Sequence, residues 1–223
     1  MSERKPEDRL REEYFTLLPD IRRVLEELEA EVRYALLPVS NGLLKYEKIA
    51  VASRIKDCES ALGALRRRQE GNVFDRDRAD SYTLTSLNDL AGVRVLAFPR
   101  SRWTEVNNIF RDREPFKTWS SDPILADGSK EPLVFKYHGH CSRSSEITAE
   151  LQIAPMLIGL FWEVEHSAIY KPLPRLRAAL SEPTMKKGTG DVYAALKNFE
   201  DEFERLIRRD PSAQSSKKSP RNS

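Results

Sequence analysis

The stretch from residue 147 to residue 171 changes its hydrophobic period once, and this change predicts a strand followed by a helix. Apolar side chains first alternate with polar ones, as in a half-buried strand, at Ile147, Ala149, Leu151 and Ile153. Glu150 and Gln152 share the polar face of that strand. After Pro155 the apolar residues recur at the spacing of an amphipathic helix. A strand that presents a carboxylate and returns as a helix could form one wall of a polar cleft.

The same two periods predict the remaining elements. Helical spacing indicates helices at residues 10–37, from an N-cap at Asp57 onward, at 101–113 and at 190–209. Apolar, β-branched runs predict strands at 45–52, within 86–98 and at 133–141, the last paired in a hairpin with 145–153. Breaks and loops are expected at 38–42, 71–86, 114–132 and 181–190, and a bend or interruption at Pro19. We therefore expect one domain over residues 10–209, between a disordered stretch at 1–9 and a disordered basic tail at 210–223.

Composition and charge narrow the classes of function. The 223 residues include 37 Lys and Arg against 35 Asp and Glu, a formal net charge of +2, so any affinity for nucleic acid requires a local basic patch. Cys58 and Cys141 have neither a paired nor a metal-ligand spacing, and nothing resembles a signal peptide. The longest apolar run, residues 156–161, is far too short to span a bilayer. We therefore expect a cytoplasmic protein that does not bind membranes.

Several common catalytic motifs are absent from the sequence. It contains no GxxxxGKS/T phosphate loop, no GxGxxG after a strand and no GxSxG elbow, and its three histidines form no zinc pattern. What remains is two acids at predicted strand ends, Asp89 and Glu150, and two cations, Arg54 and Lys56, at a helix N-terminus, where free N–H groups favour an anion. Two carboxylates that hold Mg²⁺ beside cations suit the handling of nucleotide phosphates.

Four stretches of the chain, taken together and in this order, resemble the RelA/SpoT synthetase domain: SRIKDCES, LNDLAGVRV, KYHGH, and AELQIA with EVEHSAIYKP. They span residues 53–172, over half of the sequence. Enzymes of this family are nucleotide 3'-pyrophosphokinases, which move a pyrophosphate from ATP onto a ribose 3'-hydroxyl. The resemblance implies an α/β (α+β) fold with a nucleotidyltransferase-like mixed β-sheet flanked by helices, including an N-terminal and a C-terminal helix.

The resemblance also implies roles for individual residues on the donor side. Arg54 and Lys56 match the basic pair that grips the ATP phosphates, and Ser60 matches the serine one helical turn further on. Asp89 matches a magnesium-binding aspartate. Glu150 matches the glutamate before Gln-Ile, which helps to hold the metal or draws the proton from the acceptor hydroxyl. Mg²⁺ is therefore the implied cofactor, with Asp89 and Glu150 as its ligands and as the catalytic pair.

On the acceptor side, Tyr137 resembles the tyrosine that stacks on the acceptor base, with Gly139 and His140 shaping the turn. Glu165, His166, Tyr170 and Lys171 match the Glu-His and Tyr-Lys pairs of the following helix. Arg94, a charge in a predicted buried strand, and Gln152, beside Glu150 on the polar face, are expected to support the site. Three features depart from the family pattern. The basic residue usual three or four positions beyond the serine is replaced by Gly63 and Ala64, and the later run from Arg66 to Arg68 could substitute for it. The arginine common after Gln-Ile is Ala154, and the acceptor loop is reduced to Tyr-His-Gly-His.

These observations leave three hypotheses for function. The first is an alarmone synthetase that makes guanosine 3'-pyrophosphates, (p)ppGpp, from ATP and GDP or GTP and releases AMP. The second is a toxin-like relative that pyrophosphorylates the 3' end of tRNA and stops translation, which the run from Arg66 to Arg68 and the basic tail favour. A cognate antitoxin would then be a partner. The third is a non-catalytic nucleotide sensor.

Overall fold

The computed structural model describes residues 5–125, 132–141, 146–165 and 183–209. The α-helices of this part of the chain are α1 (Pro6–Ser40), α2 (Cys58–Arg67), α3 (Arg100–Arg111), α4 (Met156–Glu165) and α5 (Pro183–Arg209). The strands are β1 (Lys48–Ile55), β2 (Ala91–Phe98), β3 (Ser120–Ser121), β4 (Ile124–Leu125), β5 (Pro132–Gly139) and β6 (Ala149–Pro155). Short 3₁₀ turns lie between α2 and β2 and between α3 and β3. The fold is thus a mixed α/β structure, as the sequence predicts.

Six strands of the described chain form the sheet, in the order β1-β2-β6-β5-β3, and β4 also pairs with β5. β5 and β6 are antiparallel, which confirms the predicted hairpin. Their register puts His138 opposite Glu150, and Lys136 opposite Gln152. Every residue of β6 is buried, so Glu150 lies on a strand that solvent reaches poorly.

The chain divides into two compact units. The first comprises Met1–Gly42, Val51–Val95 and Val106–Ile153, and the second comprises Leu43–Ala50, Leu96–Glu105 and Ala154–Ser223. Fully buried side chains form the core of the first unit, among them Leu28, Phe110 and Leu151. Trp103 and Ile158 are buried in the second unit. The expectation of a single domain over residues 10–209 stays a prediction.

Helix α1 forms because one of its faces is apolar over most of its length. Fully buried residues recur on this face at helical steps: Leu10, Ile21, Val24, Leu28 and Val32. The helix begins at Pro6, earlier than predicted, since a proline is tolerated in the first turn. It continues through Pro19 and Pro38 to Ser40, so α1 is not interrupted at Pro19, and the break predicted over 38–42 begins only at Asn41. An interior proline costs about 3 kcal/mol, and burial of these aliphatic side chains, at about 1.5–3 kcal/mol each, outweighs that cost.

Helix α1 also bonds to two segments that lie far from it in the sequence. The Tyr14 hydroxyl donates to Lys56 O at 2.9 Å. The Glu13 carboxylate accepts from Leu84 N at 2.8 Å and from the Thr83 hydroxyl. The residue that follows β1 and the loop that leads into β2 are therefore both hydrogen-bonded to the N-terminal turns of α1.

Helix α5 begins at Pro183, whereas the sequence predicted a loop up to residue 190. Gly188 and Gly190 lie inside the helix, and a Cβ built at either position would meet nothing within 4 Å. Each glycine weakens a helix by about 1 kcal/mol relative to alanine, a cost that the packing of the long amphipathic helix absorbs. Among the helices that the structure describes, none combines the length and the apolar character needed to cross a membrane.

A buried carboxyl group joins α5 to α4 within the second unit. Leu157 N donates to Glu200 Oε1 at 3.4 Å, and Glu200 is 1% exposed. Glu200 Oε2 is buried and has no hydrogen-bond partner in the described part of the chain. Burial therefore raises the pKa of Glu200 to about 7.

Candidate active site

The first predicted acid, Asp89, is bonded to a predicted ATP-binding cation. Lys56 Nζ donates to Asp89 Oδ2, and the two side chains are 14% and 24% exposed. The backbone brings them together, because Lys56 N donates to Leu90 O at 2.9 Å, just after β1 ends and just before β2 begins. Both side chains remain in contact with solvent, so either partner could be exchanged for a phosphate or a metal.

The other two predicted ATP-binding residues, Arg54 and Ser60, lie at the end of β1 and at the start of α2. Arg54 is exposed and runs beside Gly92. A Cβ built on Gly92 would lie 3.9 Å from Arg54 Nε and 3.7 Å from Glu150 O. Ser60 N donates to the Asp57 carboxylate at 2.9 Å, which confirms the predicted N-cap. This carboxylate occupies one of the N–H groups that were expected to face a phosphate.

The second predicted acid, Glu150, is buried in a network of hydrogen-bond donors, with its side chain 5% exposed. Lys136 Nζ lies 3.0 Å from Glu150 Oε2, and His138 Nε2 lies 3.1 Å from the same oxygen. The Gln152 amide donates to Glu150 Oε1. Gln152 in turn accepts from Arg94 Nε at 2.9 Å. Hydrogen bonds thus join the predicted supporting residues Arg94 and Gln152 to the acid.

This network keeps the Glu150 carboxylate ionised. Burial alone would raise its pKa, but the hydrogen bond from His138 and the charge of Lys136 outweigh burial and lower the pKa to about 2. At neutral pH the carboxylate is a fixed negative charge. It can accept a hydrogen bond or hold a cation, but it is a weak base.

Tyr137 lies on the other side of the sheet from Glu150. Alternation along β5 puts Lys136 and His138 on the face of Glu150 and Tyr137 on the opposite face. There Tyr137 is 5% exposed, and its hydroxyl donates to Asn107 at 2.7 Å. This placement corrects the expectation that Tyr137 stacks on the acceptor base, because its ring is buried and its hydroxyl is engaged.

An open pocket of about 390 Å³ lies beside β5. Two predicted acceptor residues, Gly139 and His140, line it. Its lining also includes Asn88, Trp119, Ser120 and His138. Asn88 directly precedes Asp89 in the chain. His138 contacts Glu150. The walls of the pocket therefore come from residues next to each of the two predicted acids.

The remaining supporting residues do not enter this cluster. His166, Tyr170 and Lys171 lie outside the described residues, so their roles stay predictions. Glu165 is the last residue of α4 and accepts from the Tyr193 hydroxyl. It belongs to the second unit, and its supporting role also stays a prediction.

Solved structures reveal which fold this is, although no family model and no curated protein matches the sequence. Small alarmone synthetase 1 from Bacillus subtilis, bound to its product pppGpp, matches with a TM-score of 0.63 and 16% identity, over 86% of this chain and 94% of that one. The same synthetase bound to AMPCPP matches with a TM-score of 0.55 and 17% identity, over 87% of this chain and 97% of that one. A GTP pyrophosphokinase family protein from Streptococcus pneumoniae matches with a TM-score of 0.59 and 19% identity, over 92% of this chain and 96% of that one. This chain has the RelA/SpoT-type synthetase fold.

The two acids of this synthetase fold have the chemistry that Mg²⁺ prefers. Mg²⁺ is often held by one or two carboxylates and completes its shell with phosphate oxygens and water. Asp89 pairs with Lys56 and Glu150 with Lys136, so a metal would replace a lysine at each acid. No group of three or more His, Cys, Asp or Glu side chains within the described ranges is arranged to hold a metal. Because one or two carboxylates fill only part of the shell of Mg²⁺, either acid fits this ion only with a ligand that brings its own oxygens, such as a nucleotide phosphate.

Lys136 and His138 contact Glu150, and the sequence analysis missed both of them. They alternate along KYHGH, in a strand that was already predicted to pair with the strand of Glu150. That alternation is the signal that could have found them. Asn88 and Trp119 gave no such signal, because they lie in connecting segments that only the tertiary structure brings to the pocket.

Proposed function

We propose that this protein transfers a pyrophosphoryl group from ATP to the 3'-hydroxyl of a guanosine nucleotide, GDP or GTP, and releases AMP. The observation that carries the proposal is Glu150, a buried carboxylate that Lys136 and His138 keep ionised beside an open pocket. The fold supports the proposal, because the B. subtilis synthetase that shares it binds pppGpp and the ATP analogue AMPCPP. The product would be a (p)ppGpp alarmone.

Arg54 and Lys56 would bind the phosphates of ATP. Arg54 lies at the end of β1 and Lys56 directly after it, where Lys56 already contacts Asp89. Negative charge builds on the β-phosphate and on the departing AMP during the transfer, and cations that are positioned beforehand stabilise that charge without reorganisation. Lys56 would exchange its bond to Asp89 for a bond to phosphate.

Glu150 would orient the acceptor hydroxyl. The hydroxyl oxygen attacks the β-phosphorus. The bond from that phosphorus to the oxygen that bridges it to the α-phosphorus breaks, and AMP leaves with this oxygen and the electron pair. Since the pKa of Glu150 is about 2, the carboxylate is a weak base and takes the proton only as the new P–O bond makes the hydroxyl acidic. Asp89 and Glu150 would hold Mg²⁺, which, when bound, neutralises phosphate charge and acidifies the hydroxyl.

Transfer to the 3' end of tRNA is the alternative. Arg67 and Arg68 are exposed at the C-terminal end of α2, where a basic surface would attract an RNA backbone. Two members of the arginine run are already engaged, however. Arg66 Nη2 lies 3.6 Å from Glu7 Oε1, and Arg68 Nη1 donates to Ser86 O at 2.8 Å. A mononucleotide acceptor is therefore our first proposal, and a non-catalytic sensor is the third.

One labelling experiment separates the three functions. The protein is incubated with Mg²⁺, ATP labelled at the γ-phosphate, and either GDP, GTP or deacylated tRNA. Label on a guanosine nucleotide together with AMP formation supports the proposal. Label on RNA supports the alternative, and no transfer to any acceptor supports the sensor and refutes both enzymes.

Two substitutions test the acids. Glu150→Gln and Asp89→Asn should each reduce transfer by about two orders of magnitude or more, because each removes a charge that acts in the transition state. Glu146→Gln is the matched control, since Glu146 is an exposed carboxylate shortly before β6. It should keep the wild-type rate. Near-normal rates in both active-site variants, with folding verified by circular dichroism, would exclude these acids from the reaction.

A further inference from the structure

A second open pocket, about 430 Å³ in volume, lies within the first unit, between the N-terminal end of α1 and the segment that follows α2. Its size is usual for small-molecule sites. None of its described lining residues lines the pocket beside β5, and none is a predicted catalytic, ATP-binding or acceptor-binding residue. The lining includes Lys5, Glu7, Arg66, Asn72, Val73 and Phe74.

Phe74 forms the aromatic wall of this pocket, and Tyr82 holds its ring in place. The centroids of the two rings lie 5.0 Å apart. Tyr82 is only 6% exposed, and its hydroxyl accepts from Asp75 N, directly after Phe74, at 3.1 Å. The Arg66 guanidinium carbon lies 5.6 Å from the centroid of the Phe74 ring. Guanidinium and phenyl groups both pack against aromatic rings, so Arg66 and Phe74 together offer a surface for a planar ligand.

The turn that carries Phe74 contains two consecutive residues with positive φ. Gly71 has a φ of 64°, and Asn72 has a φ of 56°. Glycine adopts this left-handed region without a steric penalty, and asparagine is one of the few other residues that tolerate it. Val73 follows and is 63% exposed at the pocket. A ligand that covers the Val73 side chain gains the free energy of that apolar burial.

The charged groups of the pocket suit a ligand that carries both negative charge and a hydrogen-bond donor. Arg66 Nη2 lies 3.6 Å from Glu7 Oε1, and the two side chains are 40% and 31% exposed. This separation is longer than a hydrogen bond, so each group is able to bond to a ligand instead. Lys5 is exposed and adds a second cation. The described lining therefore carries more positive than negative charge.

A purine nucleotide combines the features that this lining would recognise. Its base is a planar aromatic system with N–H groups from which a carboxylate accepts, and its phosphates bind lysine and arginine. A sugar phosphate lacks the aromatic ring, and an aromatic amino acid lacks the phosphate.

We propose that this pocket binds a purine nucleoside phosphate. The base packs against Phe74 and Arg66, Glu7 accepts from the base, and Lys5 binds the phosphate. The proposal goes beyond the transfer reaction, because it assigns neither the donor nor the acceptor to this pocket. A free nucleotide and one nucleotide of an RNA strand both supply the same chemistry, so the test includes both.

Nuclear magnetic resonance of the ¹⁵N-labelled wild type reports on this pocket directly. Titration with GDP or ADP should shift the backbone amide resonances of Val73 and Phe74, even where the same nucleotide also binds at the active site. Inorganic pyrophosphate has the charge but no base and should shift them far less. A shift that a short single-stranded oligoadenylate produces at lower concentration than ADP would support the site and identify RNA as the source of the nucleotide. Absence of a shift with all of the nucleotides, or an equal shift with pyrophosphate, would overturn the proposal.

Two substitutions with matched controls locate the binding site. Arg66→Gln removes the cation, and Phe74→Leu removes the ring but keeps an apolar side chain. Each should raise the nucleotide dissociation constant, measured from the Val73 shift, about fivefold or more, the effect of one lost cation–π or charged contact. Arg67→Gln and Phe15→Leu are the controls and should bind like the wild type, because both residues are exposed and neither lines the pocket. Circular dichroism verifies that the variants fold. Unchanged affinity in folded Arg66→Gln or Phe74→Leu would overturn the proposal, and the wild-type titration decides it if a variant does not fold.

Discussion

Replacing Glu150 by glutamine should destabilise the folded protein by an amount that depends on pH. Glutamine keeps the size of the side chain but removes the negative charge. Lys136 and His138 would then face a neutral amide in a site where the Glu150 side chain is only 5% exposed. Loss of a buried ionic partner is among the larger effects that a single substitution can have.

The magnitude follows from the pKa of Glu150, which falls from its ordinary 4.5 to about 2 in the folded protein. Each pKa unit is worth about 1.4 kcal/mol, so the ionised carboxylate contributes on the order of 3 kcal/mol to the free energy of unfolding. Because the folded pKa is the lower one, this contribution is fully present above pH 4.5. It decreases as the pH falls and is lost near pH 2.

Urea unfolding at several pH values measures this contribution. At a pH of about 7 the wild type should exceed Glu150→Gln by about 3 kcal/mol, and by a pH of about 4 the difference should shrink by about 1 kcal/mol. Glu146→Gln should track the wild type at every pH. A difference near zero at neutral pH, or one that does not change with pH, would refute the argument that Lys136 and His138 stabilise an ionised Glu150.

Two further substitutions test the same electrostatic reasoning. Lys136→Met should lower the free energy of unfolding at neutral pH by about 1–2 kcal/mol, less than Glu150→Gln, because His138 and Gln152 still contact the carboxylate. Urea unfolding measures this loss, and equal stability would contradict it. Glu200 has a folded pKa of about 7 against an ordinary 4.5, so its contribution is present below pH 4.5 and is lost as the pH rises through about 7. Glu200→Gln should therefore be more stable than the wild type by on the order of 3 kcal/mol at a pH of about 8, and by only about 1 kcal/mol at a pH of about 5. Urea unfolding at both pH values gives these differences, and a less stable variant at the higher pH would rule out burial of Glu200 as the cause.

The elements that the sequence predicted well are those whose causes are local. The change of period at Pro155 located the end of β6 and the start of α4. Asp57 located the start of α2, because an N-cap acts on N–H groups in the very next turn. The start of α5 was missed because Pro183 and two following glycines indicate a loop locally, whereas the packing of the whole helix decides the outcome.

The sequence predicts candidate site residues, but it does not predict which side chains each of them contacts. Which side chains meet Glu150 depends on the register of β5 against β6, a long-range property. A shift of one residue would bring Tyr137 onto the face of Glu150 and turn Lys136 and His138 away. Sequence motifs match the kind of residue at a position, and they do not state which face of the strand it occupies.

The N-terminal turns of α1 determine how far the chain can be shortened without loss of the site. Tyr14 fixes the backbone at Lys56, and Glu13 fixes the loop that leads toward Asp89. A truncation through Tyr14 would release both segments together. The Lys56 ammonium and the Asp89 carboxylate would then lose their alignment, although neither residue had been deleted. Deletion mapping would then attribute to the residues of α1 a loss that arises from the displaced segments around Lys56 and Asp89.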